Sequence, residues 1–412
     1  MAQTRRSPSS NLYKISMKIL EINTVCGEGS TGNIAVEIAH CIKQVGATCY
    51  IAYGHGYSNY EPSFRIGNNI EQLIHKILSR LFDFQGLGSV WGTINLLKII
   101  KQEQIDLIHI HNIHGNYLNY KILLRYIIKK KIPVVLTLHD CWTITGHCAH
   151  FIDVNCTKWQ TGCFRCPKKR LYPASLTDFS KRNYNLKRTL FTHVNQMHII
   201  TVSDWLREII KQSYLAKFPI DTIHNGVDLT IFYPRDTTIK KNIKQDIGCS
   251  QQYMILAVGT KGLQDIIKLS QLLSNEYKIV IIGATDQSHN KKLHFIPPIL
   301  DKLKLAEYYS AADCFINPTY ADTFPTTNLE ALACGTPIIT YRTGGSVEAI
   351  TPQTGKIVEK GDLQGIIAAI HSLEKENQEL LSKHCRLRAE TYFDKKLCFS
   401  KYIDIYKRLL KK

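Results

Sequence analysis

Long apolar runs are missing from this chain. No stretch of about 18 uninterrupted apolar residues occurs, which argues against a membrane-spanning helix. The N-terminal segment MAQTRRSPSSNLYKIS is polar and lacks the apolar middle of a secretory signal peptide. The 13 cysteines are an odd number, and without a secretory signal we expect reduced thiols in a cytoplasm. We therefore predict a cytoplasmic protein in which residues 1–16 are either a disordered tail outside the fold or the product of a misassigned start.

Acidic residues are scarce relative to basic ones. Asp and Glu number 34 against 52 Lys and Arg, which leaves a formal net charge of +18. Such a charge favours anionic partners, namely nucleic acid, an anionic membrane surface or a phosphorylated substrate. The basic residues are spread along the chain, and neither an arginine-rich recognition stretch nor an aromatic RNA-binding signature is present. We therefore expect phosphorylated ligands and no nucleic acid.

Short apolar segments alternate with amphipathic ones through the whole chain. Strand patterns such as KILEINTV and PVVLTLHD precede helical patterns in the first half. The segments MILAVG, KIVIIG, CFINPT and PIITYR repeat the scheme in the second half. Repeated strand–helix alternation predicts α/β domains, in which helices cover both faces of a parallel sheet. Two such sets predict two doubly wound Rossmann-like domains that face each other across a cleft, with a hinge near residues 224–234.

The glycine-rich segment GEGSTG (residues 27–32) follows the first strand and opens a helix. It fits the G-x-G-x-x-G fingerprint of dinucleotide-binding domains. Those domains also place an acid at the end of the second strand, where it holds a ribose, whereas TCYIAYGHG contains none. This argues against a dehydrogenase. Two interpretations of the loop remain: a backbone that approaches a phosphate or sugar, or a tight strand–helix turn.

Histidines follow two strands of the first half. In HIHNIH, His109 and His111 share one face of a strand, and His114 lies just past its end. PVVLTLHD ends in His139 and Asp140. A metal-dependent hydrolase would use such a set of ligands. For His109 we favour the simpler interpretation of a buried, hydrogen-bonded side chain, whereas His139 ends its strand next to an acid and is a candidate for chemistry.

Four cysteines lie close together in CAHFIDVNCTKWQTGCFRCP. The last two form a C-x-x-C pair, and four thiolates in so short a segment suffice for a structural tetrahedral metal site. The other spacings are irregular, so a set of reduced, partly buried thiols is the alternative. We favour a structural metal, with zinc as the expected ion, that braces a loop near His139 and does no chemistry. The predicted ligands are Cys148, Cys156, Cys163 and Cys166.

Two acids eight positions apart flank a helix start in DTFPTTNLE. Pro325 suits the first helical turn, and the amides that follow it would be unpaired and would attract an anion. Eight residues of helix span about 12 Å, so Asp322 and Glu330 cannot act as an acid–base pair on one atom. They can instead hold the hexose and ribose hydroxyls of an extended ligand whose diphosphate lies at the amides. An ordinary surface helix is the alternative. The predicted anion ligands are the amides of Thr326, Thr327 and Asn328.

These motifs resemble a known enzyme family. DTFPTTNLE followed by ALACGTPIITYRTGGSVEAI is similar to the donor-site signature of the retaining family 4 glycosyltransferases, which have the GT-B fold. The first position of that signature is usually Glu and is Asp322 here. A wider set of segments resembles the subgroup of colanic-acid and O-antigen glycosyltransferases of bacterial surface-polysaccharide clusters. These segments are MKILEINTVCGEGSTGNIA, DLIHIHNIHGNYLN, TLHDCWTITGHCAHF, KWQTGCFRCP, YPAS and HNGVDLTIF.

The resemblance implies a hexosyltransferase that uses a nucleotide diphosphate sugar donor and a lipid-linked oligosaccharide acceptor, retains the anomeric configuration and needs no catalytic cofactor. It implies that His139 lies beside the transferred sugar, that Asp322 holds sugar hydroxyls and that Glu330 holds the ribose. Lys261, in LAVGTKGLQDI, matches a lysine that holds the diphosphate, whereas the family's neighbouring arginine is absent and the loop is shortened. The glycine-loop residues implied in donor binding are Gly29, Thr31 and Gly32.

We place an acceptor-side domain at residues 17–225, with a cysteine-rich insertion at 141–170, and a nucleotide-sugar-binding domain at 226–390. Residues 391–412 are expected to form a helix that packs back on the N-terminal domain. The basic charge predicts shallow contact with the inner face of the plasma membrane. Two alternatives to the transferase remain, namely the metal-dependent hydrolase and a non-catalytic sugar-nucleotide-binding protein that has lost its arginine.

Overall fold

The computed structural model describes residues 17–285 and 290–411, so the predicted tail at 1–16 lies outside the described residues. The N-terminal sheet has seven strands. They are β1 (Lys18–Val25), β2 (Thr48–His55), β3 (Ser63–Arg65), β4 (Leu107–Ile110), β5 (Val134–Leu138), β6 (Met197–Thr201) and β7 (Ile220–Thr222). The C-terminal sheet has six strands. They are β8 (Tyr253–Val258), β9 (Tyr277–Ile282), β10 (Leu293–Ile296), β11 (Cys314–Asn317), β12 (Ile338–Tyr341) and β13 (Gly355–Val358).

Helices cover these sheets. In the N-terminal half they are α1 (Gly29–Gln44), α2 (Asn69–Phe82), α3 (Val90–Gln102), α4 (Tyr120–Lys130), α5 (Ser180–Thr192) and α6 (Asp204–Lys211). In the C-terminal half they are α7 (Thr237–Asp246), α8 (Leu263–Leu272), α9 (Lys302–Ala311), α10 (Thr326–Ala333), α11 (Leu363–Glu374), α12 (Gln378–Tyr392) and α13 (Lys395–Leu409). None of the described helices combines the length and apolarity that crossing a membrane requires.

Both sheets are parallel and doubly wound. The strand orders are β3-β2-β1-β4-β5-β6-β7 and β10-β9-β8-β11-β12-β13. The central strands are buried along their length, as in VVLTL of β5, because helices lie against both faces. This confirms the two-domain α/β fold predicted from the sequence.

Each sheet contains a point where the order of strands reverses. In the first sheet it lies between β1 and β4, and in the second between β8 and β11. Loops that leave two such strands at their carboxyl ends diverge to opposite faces and leave a crevice, which is where α/β proteins bind ligands. The loops after β8 and β11 carry Lys261 and Asp322.

The C-terminal helix returns to the first domain. Phe399, Tyr402 and Tyr406 of α13 are buried in the core that contains Ile19 of β1 and Ile38 of α1. The chain thus crosses between the domains twice, once after β7 and once between α12 and α13.

Direct hydrogen bonds join the domains beside the cleft. The Thr323 hydroxyl donates to the His139 carbonyl (2.6 Å), and the Asn225 side-chain amide donates to the Phe324 carbonyl (3.0 Å). The carboxylate of Glu348 accepts the first two amides of α6 at 2.8 and 2.6 Å. An acid at a helix N-terminus is favourable, so this contact holds the second domain against the first.

Candidate active site

A cavity of about 450 Å³ lies between the carboxyl edges of the two sheets. Its N-terminal wall includes His139 and Asp140, which follow β5, and its C-terminal wall includes Lys261 and Asp322. These residues lie far apart in the chain and meet because parallel strands end at one edge of each sheet. The cavity therefore brings together His139, Lys261 and Asp322, the three predicted catalytic residues.

Lys261 and Asp322 form an ion pair at 2.5 Å. The lysine side chain is 59% exposed and the aspartate 12%, so the aspartate is the fixed partner. The Asp322 carboxylate also accepts the amide of Phe324 at 3.2 Å. Gly262 lets the two loops approach, since its φ is +72° and a Cβ there would lie 2.2 Å from the Pro318 carbonyl oxygen. The exposed lysine can therefore move to a ligand while the carboxylate stays in place.

The start of α10 forms part of the same wall. Pro325 precedes the helix, and Thr326 and Thr327 line the cavity. Asn328 does not line the cavity. Its backbone amide donates to the Pro325 carbonyl at 3.2 Å. Its buried side-chain oxygen accepts the side-chain amide of Asn317 at 2.9 Å. The prediction that the Asn328 amide is unpaired was therefore wrong, because the helix already turns tightly there. Asn328 joins α10 to β11 and does not contact the cavity.

Glu330 lines a second cavity, of about 360 Å³, which shares Ser30 and Thr326 with the first. Its carboxylate accepts the Tyr309 hydroxyl at 2.9 Å. Burial raises the pKa of Glu330 to about 7, although the Tyr309 hydrogen bond and Lys302 oppose the shift. Asp322 and Glu330 thus line two adjoining cavities, as binding of one extended ligand would require.

The raised pKa of Glu330 predicts a pH dependence of stability. A carboxyl whose pKa is higher in the folded state than its ordinary 4.5 stabilises the fold below pH 4.5, and this contribution is lost as the pH rises through 7. Between pH 5 and 8 we expect the unfolding free energy of the wild type to fall by roughly 2 kcal/mol more than that of Glu330→Gln. Denaturant unfolding at both pH values measures this. Parallel pH profiles for the two proteins would contradict it.

His139 ends a chain of buried hydrogen bonds. Its Nε2 lies 3.0 Å from His111 Nδ1, and His111 Nε2 lies 3.1 Å from a carboxylate oxygen of Glu21. Burial lowers the pKa of His139 to about 4, although Asp140 opposes the shift, so its imidazole is neutral. Burial also raises the pKa of the Glu21 carboxyl well above its usual range. Glu21 was not predicted, although an acid inside the apolar strand KILEINTV is a signal that could have found it.

The histidines do not assemble the hydrolase site. His109 is buried and its two ring nitrogens lie 2.8 Å from the hydroxyls of Thr137 and Tyr406, which confirms the simpler interpretation of this residue. Asp140 bonds His114 at 2.6 Å. Burial alone would raise the pKa of Asp140, but His114, His150 and the Trp142 backbone amide together outweigh it and lower that pKa to about 2. Within the described residues, the group of closely spaced potential metal ligands at this site lies inside the sheet and consists of Glu21, His109 and His111.

Three residues of the glycine loop line the cavities, whereas Gly32 serves helix packing. Gly29 has φ +61° and open space where a Cβ would be, and it lines the second cavity. Thr31 lines the first, and Ser30, which was not predicted, lines both. Gly32 is buried, and a Cβ there would lie 3.0 Å from the Val25 side chain. The structure therefore corrects the prediction for Gly32, which lets α1 pack closely on β1 and does not line either cavity.

His150 is a cavity residue that sequence reasoning missed. It lies in the irregular cysteine-rich segment, where no periodicity marks it, and lines the first cavity. Its Nδ1 is buried and has no hydrogen-bond partner among the described residues. Burial lowers the pKa of His150, while the charges of Asp140 and Asp322 oppose the shift. A buried ring nitrogen without a partner beside a cavity suits a bound ligand.

The four predicted metal ligands and His147 line one small cavity of about 20 Å³. The interaction between the side chains of Cys148 and Cys166 lowers the pKa of Cys166 to about 6 and raises that of Cys148. Among the described residues, however, no three of the cysteine sulfurs lie within 4.8 Å of one another. The sulfurs thus share a cavity without surrounding a single point, and structural zinc stays a prediction.

Joint replacement of Cys163 and Cys166 by Ser tests that prediction. We expect the variant to lose bound zinc and to melt several degrees lower, because a structural metal contributes directly to folding free energy. Elemental analysis and thermal unfolding measure both effects. Cys41→Ser, a half-buried thiol on α1, is the control. Purified wild type without metal would contradict the prediction.

Comparisons with known proteins match both domains. The model of the family "Glycosyltransferase Family 4" matches residues 32–231, and that of "Glycosyl transferases group 1" matches residues 250–391. The putative colanic acid biosynthesis glycosyl transferase WcaC of Escherichia coli is 24% identical over 385 residues, covering 85% of this chain and 89% of that one. The capsular polysaccharide biosynthesis glycosyltransferase CapM of Staphylococcus aureus is 23% identical, covering 52% of this chain and 62% of that one.

Solved structures share the fold. The sucrose-phosphate synthase of Thermosynechococcus elongatus superimposes with a TM-score of 0.70 at 16% identity, covering 95% of this chain and 99% of that one. Anabaena HepE in complex with UDP-glucose gives a TM-score of 0.66 at 14% identity, with the same coverage of both chains. The family 4 match contains His139 and the group 1 match contains Lys261 and Asp322. Each matched region thus supplies one wall of the cavity, and the chain belongs to the glycosyltransferases with the two-domain GT-B fold.

Proposed function

We propose that this protein transfers a hexose from a nucleotide diphosphate sugar to a lipid-linked oligosaccharide of a bacterial surface polysaccharide, in the cytoplasm and with retention of anomeric configuration. The observation that carries the proposal is the interdomain cavity in which His139 faces the Lys261–Asp322 pair, with Glu330 in the adjoining cavity. The named relatives support the polysaccharide, since WcaC and CapM are described by such pathways.

The donor would lie along these two adjoining cavities. Asp322 would accept hydroxyls of the hexose, with neutral His139 on the opposite wall. Lys261 and the first amides of α10 would hold the diphosphate, since a helix N-terminus and a cation both favour an anion. Glu330 would accept ribose hydroxyls, a charge-assisted interaction when it is ionised. The complex of HepE with UDP-glucose supports a donor of this chemical class.

The transfer step follows from the lack of a carboxylate placed as a nucleophile on the described cavity wall. The carboxylates among the described lining residues are Asp140, which His114 binds at 2.6 Å, and Asp322, which the proposed donor position assigns to the hexose hydroxyls. We infer a front-face reaction, in which the acceptor hydroxyl oxygen bonds to the anomeric carbon while the bond from that carbon to the diphosphate oxygen breaks. The hydroxyl proton passes to the departing phosphate oxygen. Lys261 stabilises the charge that develops there, an electrostatic effect of the oxyanion-hole kind.

A thermal-shift screen against UDP-, GDP-, dTDP- and ADP-sugars tests donor binding and identifies the base. A ligand that binds only the folded state raises the melting temperature. We expect one nucleotide series to stabilise the protein and the others to have little effect. If none stabilises it, the proposal is wrong.

The absent arginine specifically favours a second candidate, a non-catalytic donor-binding protein. The loop between β8 and α8 contains four residues and a single cation, Lys261. Such a protein would be stabilised by the donor but would release no nucleotide when an acceptor is added. Nucleotide release with acceptor therefore separates the two. A metal chelator, used at a concentration that leaves the melting temperature unchanged, separates both from the hydrolase, because only hydrolysis would use a metal in the reaction itself.

A further inference from the structure

Helix α2 buries polar side chains and exposes apolar ones, which is the reverse of an ordinary surface helix. Its buried side chains are the polar Gln72, His75 and Ser79. Five of its aliphatic side chains point away from the protein with exposures from 39 to 72%. These side chains are Ile70, Leu73, Ile74, Ile77 and Leu81. A surface helix normally buries its apolar stripe, so this arrangement calls for a partner outside the fold.

Hydrogen bonds on the buried side fix that orientation. The Gln72 side-chain amide donates to the carbonyls of Gly54 (2.7 Å) and Ile66 (3.1 Å). The Nδ1 of His75 lies 2.9 Å from the Ser89 hydroxyl, and its Nε2 accepts the amide of Gly88 at 3.0 Å. Turning the aliphatic residues inward would break these bonds and leave buried polar groups unpaired. The outward apolar side is therefore a built feature of the domain.

Neighbouring segments extend this apolar surface. Trp91, 75% exposed, shares a shallow depression with Ile70 and Ile74. At the other end of α2, the backbone amide of Leu176 donates to the Arg80 carbonyl at 2.8 Å. This bond holds the loop that contains the exposed Leu171 and Leu176 next to α2. We call the combined surface the α2 face. Its members are Ile70, Leu73, Ile74, Ile77, Leu81, Trp91, Leu171 and Leu176.

The charges around the α2 face are positive. Lys76 and Arg80 are exposed on α2 itself, and exposed Arg170 precedes Leu171. The carboxylate of Glu71, the acid within α2, accepts a hydrogen bond from the Gly92 backbone amide at 3.1 Å. An apolar helix face with cations at its edge matches the interface of an anionic bilayer. Two copies of this chain are a poorer match, because each carries a net charge of +18 and a symmetric contact would oppose like charges.

We propose that the α2 face is a docking surface for an anionic lipid bilayer. The α2 face is connected to the active-site cavity through Tyr172, the residue after Leu171. The Tyr172 hydroxyl lies 3.1 Å from Nδ1 of His114. The other ring nitrogen of His114 is hydrogen-bonded to Asp140, which lies on the cavity wall. An acceptor held in the membrane by its lipid would thus meet the cavity on the side where the protein docks. This last step rests on the proposed function, whereas bilayer binding does not.

Vesicle sedimentation tests the docking surface on the full chain. We compare vesicles of phosphatidylcholine alone with vesicles that also contain phosphatidylglycerol. The triple variant Leu73→Gln, Ile74→Gln, Ile77→Gln should bind anionic vesicles roughly tenfold or more weakly than the wild type. A matched control carries three leucines of similar exposure on α12 and α13 changed to glutamine, namely Leu380, Leu387 and Leu397. The control should bind like the wild type.

A second readout needs no variant of α2. Of the four tryptophans, Trp91 is exposed, Trp142 and Trp159 are buried, and Trp205 on α6 is half-buried. Insertion should shift the wild-type tryptophan emission to shorter wavelength only with anionic vesicles, and Trp91→Phe should remove the shift. Wild type that fails to bind anionic vesicles, or a triple variant that binds as well as the control, overturns the proposal. A wild-type dimer that the triple variant converts to a monomer also overturns it in favour of self-association. Donor stabilisation is measured separately in the wild type and the triple variant. Failure of the proposed function would show as no donor stabilisation of the wild type with its vesicle binding intact.

Discussion

Lys261→Met should lower the rate of sugar transfer by roughly 10²–10³-fold. Lys261 is the cation that the described part of the cavity wall offers to a departing diphosphate, and the shortened loop holds no second one. Charge stabilisation at the leaving group acts mainly in the transition state, so kcat should fall more than donor affinity. Nucleotide release in the presence of acceptor measures kcat, and the thermal shift with donor measures binding.

Two further substitutions sharpen this result. Lys268→Met removes an exposed lysine from the outer side of α8 and should leave the rate unchanged. Lys261→Arg keeps the charge and should keep more activity than Lys261→Met. A Lys261→Met enzyme with near wild-type kcat would show that the diphosphate lies elsewhere.

Glu330→Ala should weaken donor binding by roughly 10–100-fold, the range expected for losing a hydrogen-bonded carboxylate. The expected loss is in affinity, because the ribose is remote from the bond that breaks. The pKa of Glu330, raised to about 7 by burial, adds a signature. The carboxylate accepts hydroxyls better than the neutral acid, so wild-type affinity should fall as the pH drops through 7, and Glu330→Gln should lose this dependence.

Titration of the donor at pH 6 and 8 by calorimetry measures both effects. Glu379→Ala, an exposed acid on α12, is the control and should bind donor normally. Tyr309→Phe leaves the carboxylate and removes the hydroxyl that binds it at 2.9 Å. Its donor affinity should stay much closer to wild type than that of Glu330→Ala. Unchanged affinity in Glu330→Ala would refute the placement of the ribose.

The central strands were predictable because buried strands of a parallel sheet read as unbroken apolar runs. KILEINTV was predicted at the residues of β1, and CFINPT contains the whole of β11. The edge strands β3 and β7 escaped prediction, since each has three residues and none of these is buried. Short, half-exposed strands have no periodicity that distinguishes them from loops.

The residues of the site were predictable by type and not by orientation. Asn328 follows Pro325 as an anion-binding amide would, yet the turn of α10 pairs that amide. Gly32 completes a phosphate-loop pattern, yet its missing side chain serves the packing of α1. His150 and Ser30 line the cavity from loops whose course depends on contacts with other segments.

The sequence by itself determined the strand–helix alternation, the doubly wound class of both domains and the chemical groups available at strand ends, because these depend on local periodicity and residue type. Only the tertiary structure decided which groups meet. The pairing of Lys261 with Asp322, the buried links from Glu21 to His139 and the outward turn of α2 each depend on segments distant in the chain. Packing sets those distances and the desolvation that shifts each pKa, and neither can be read from neighbours in the sequence.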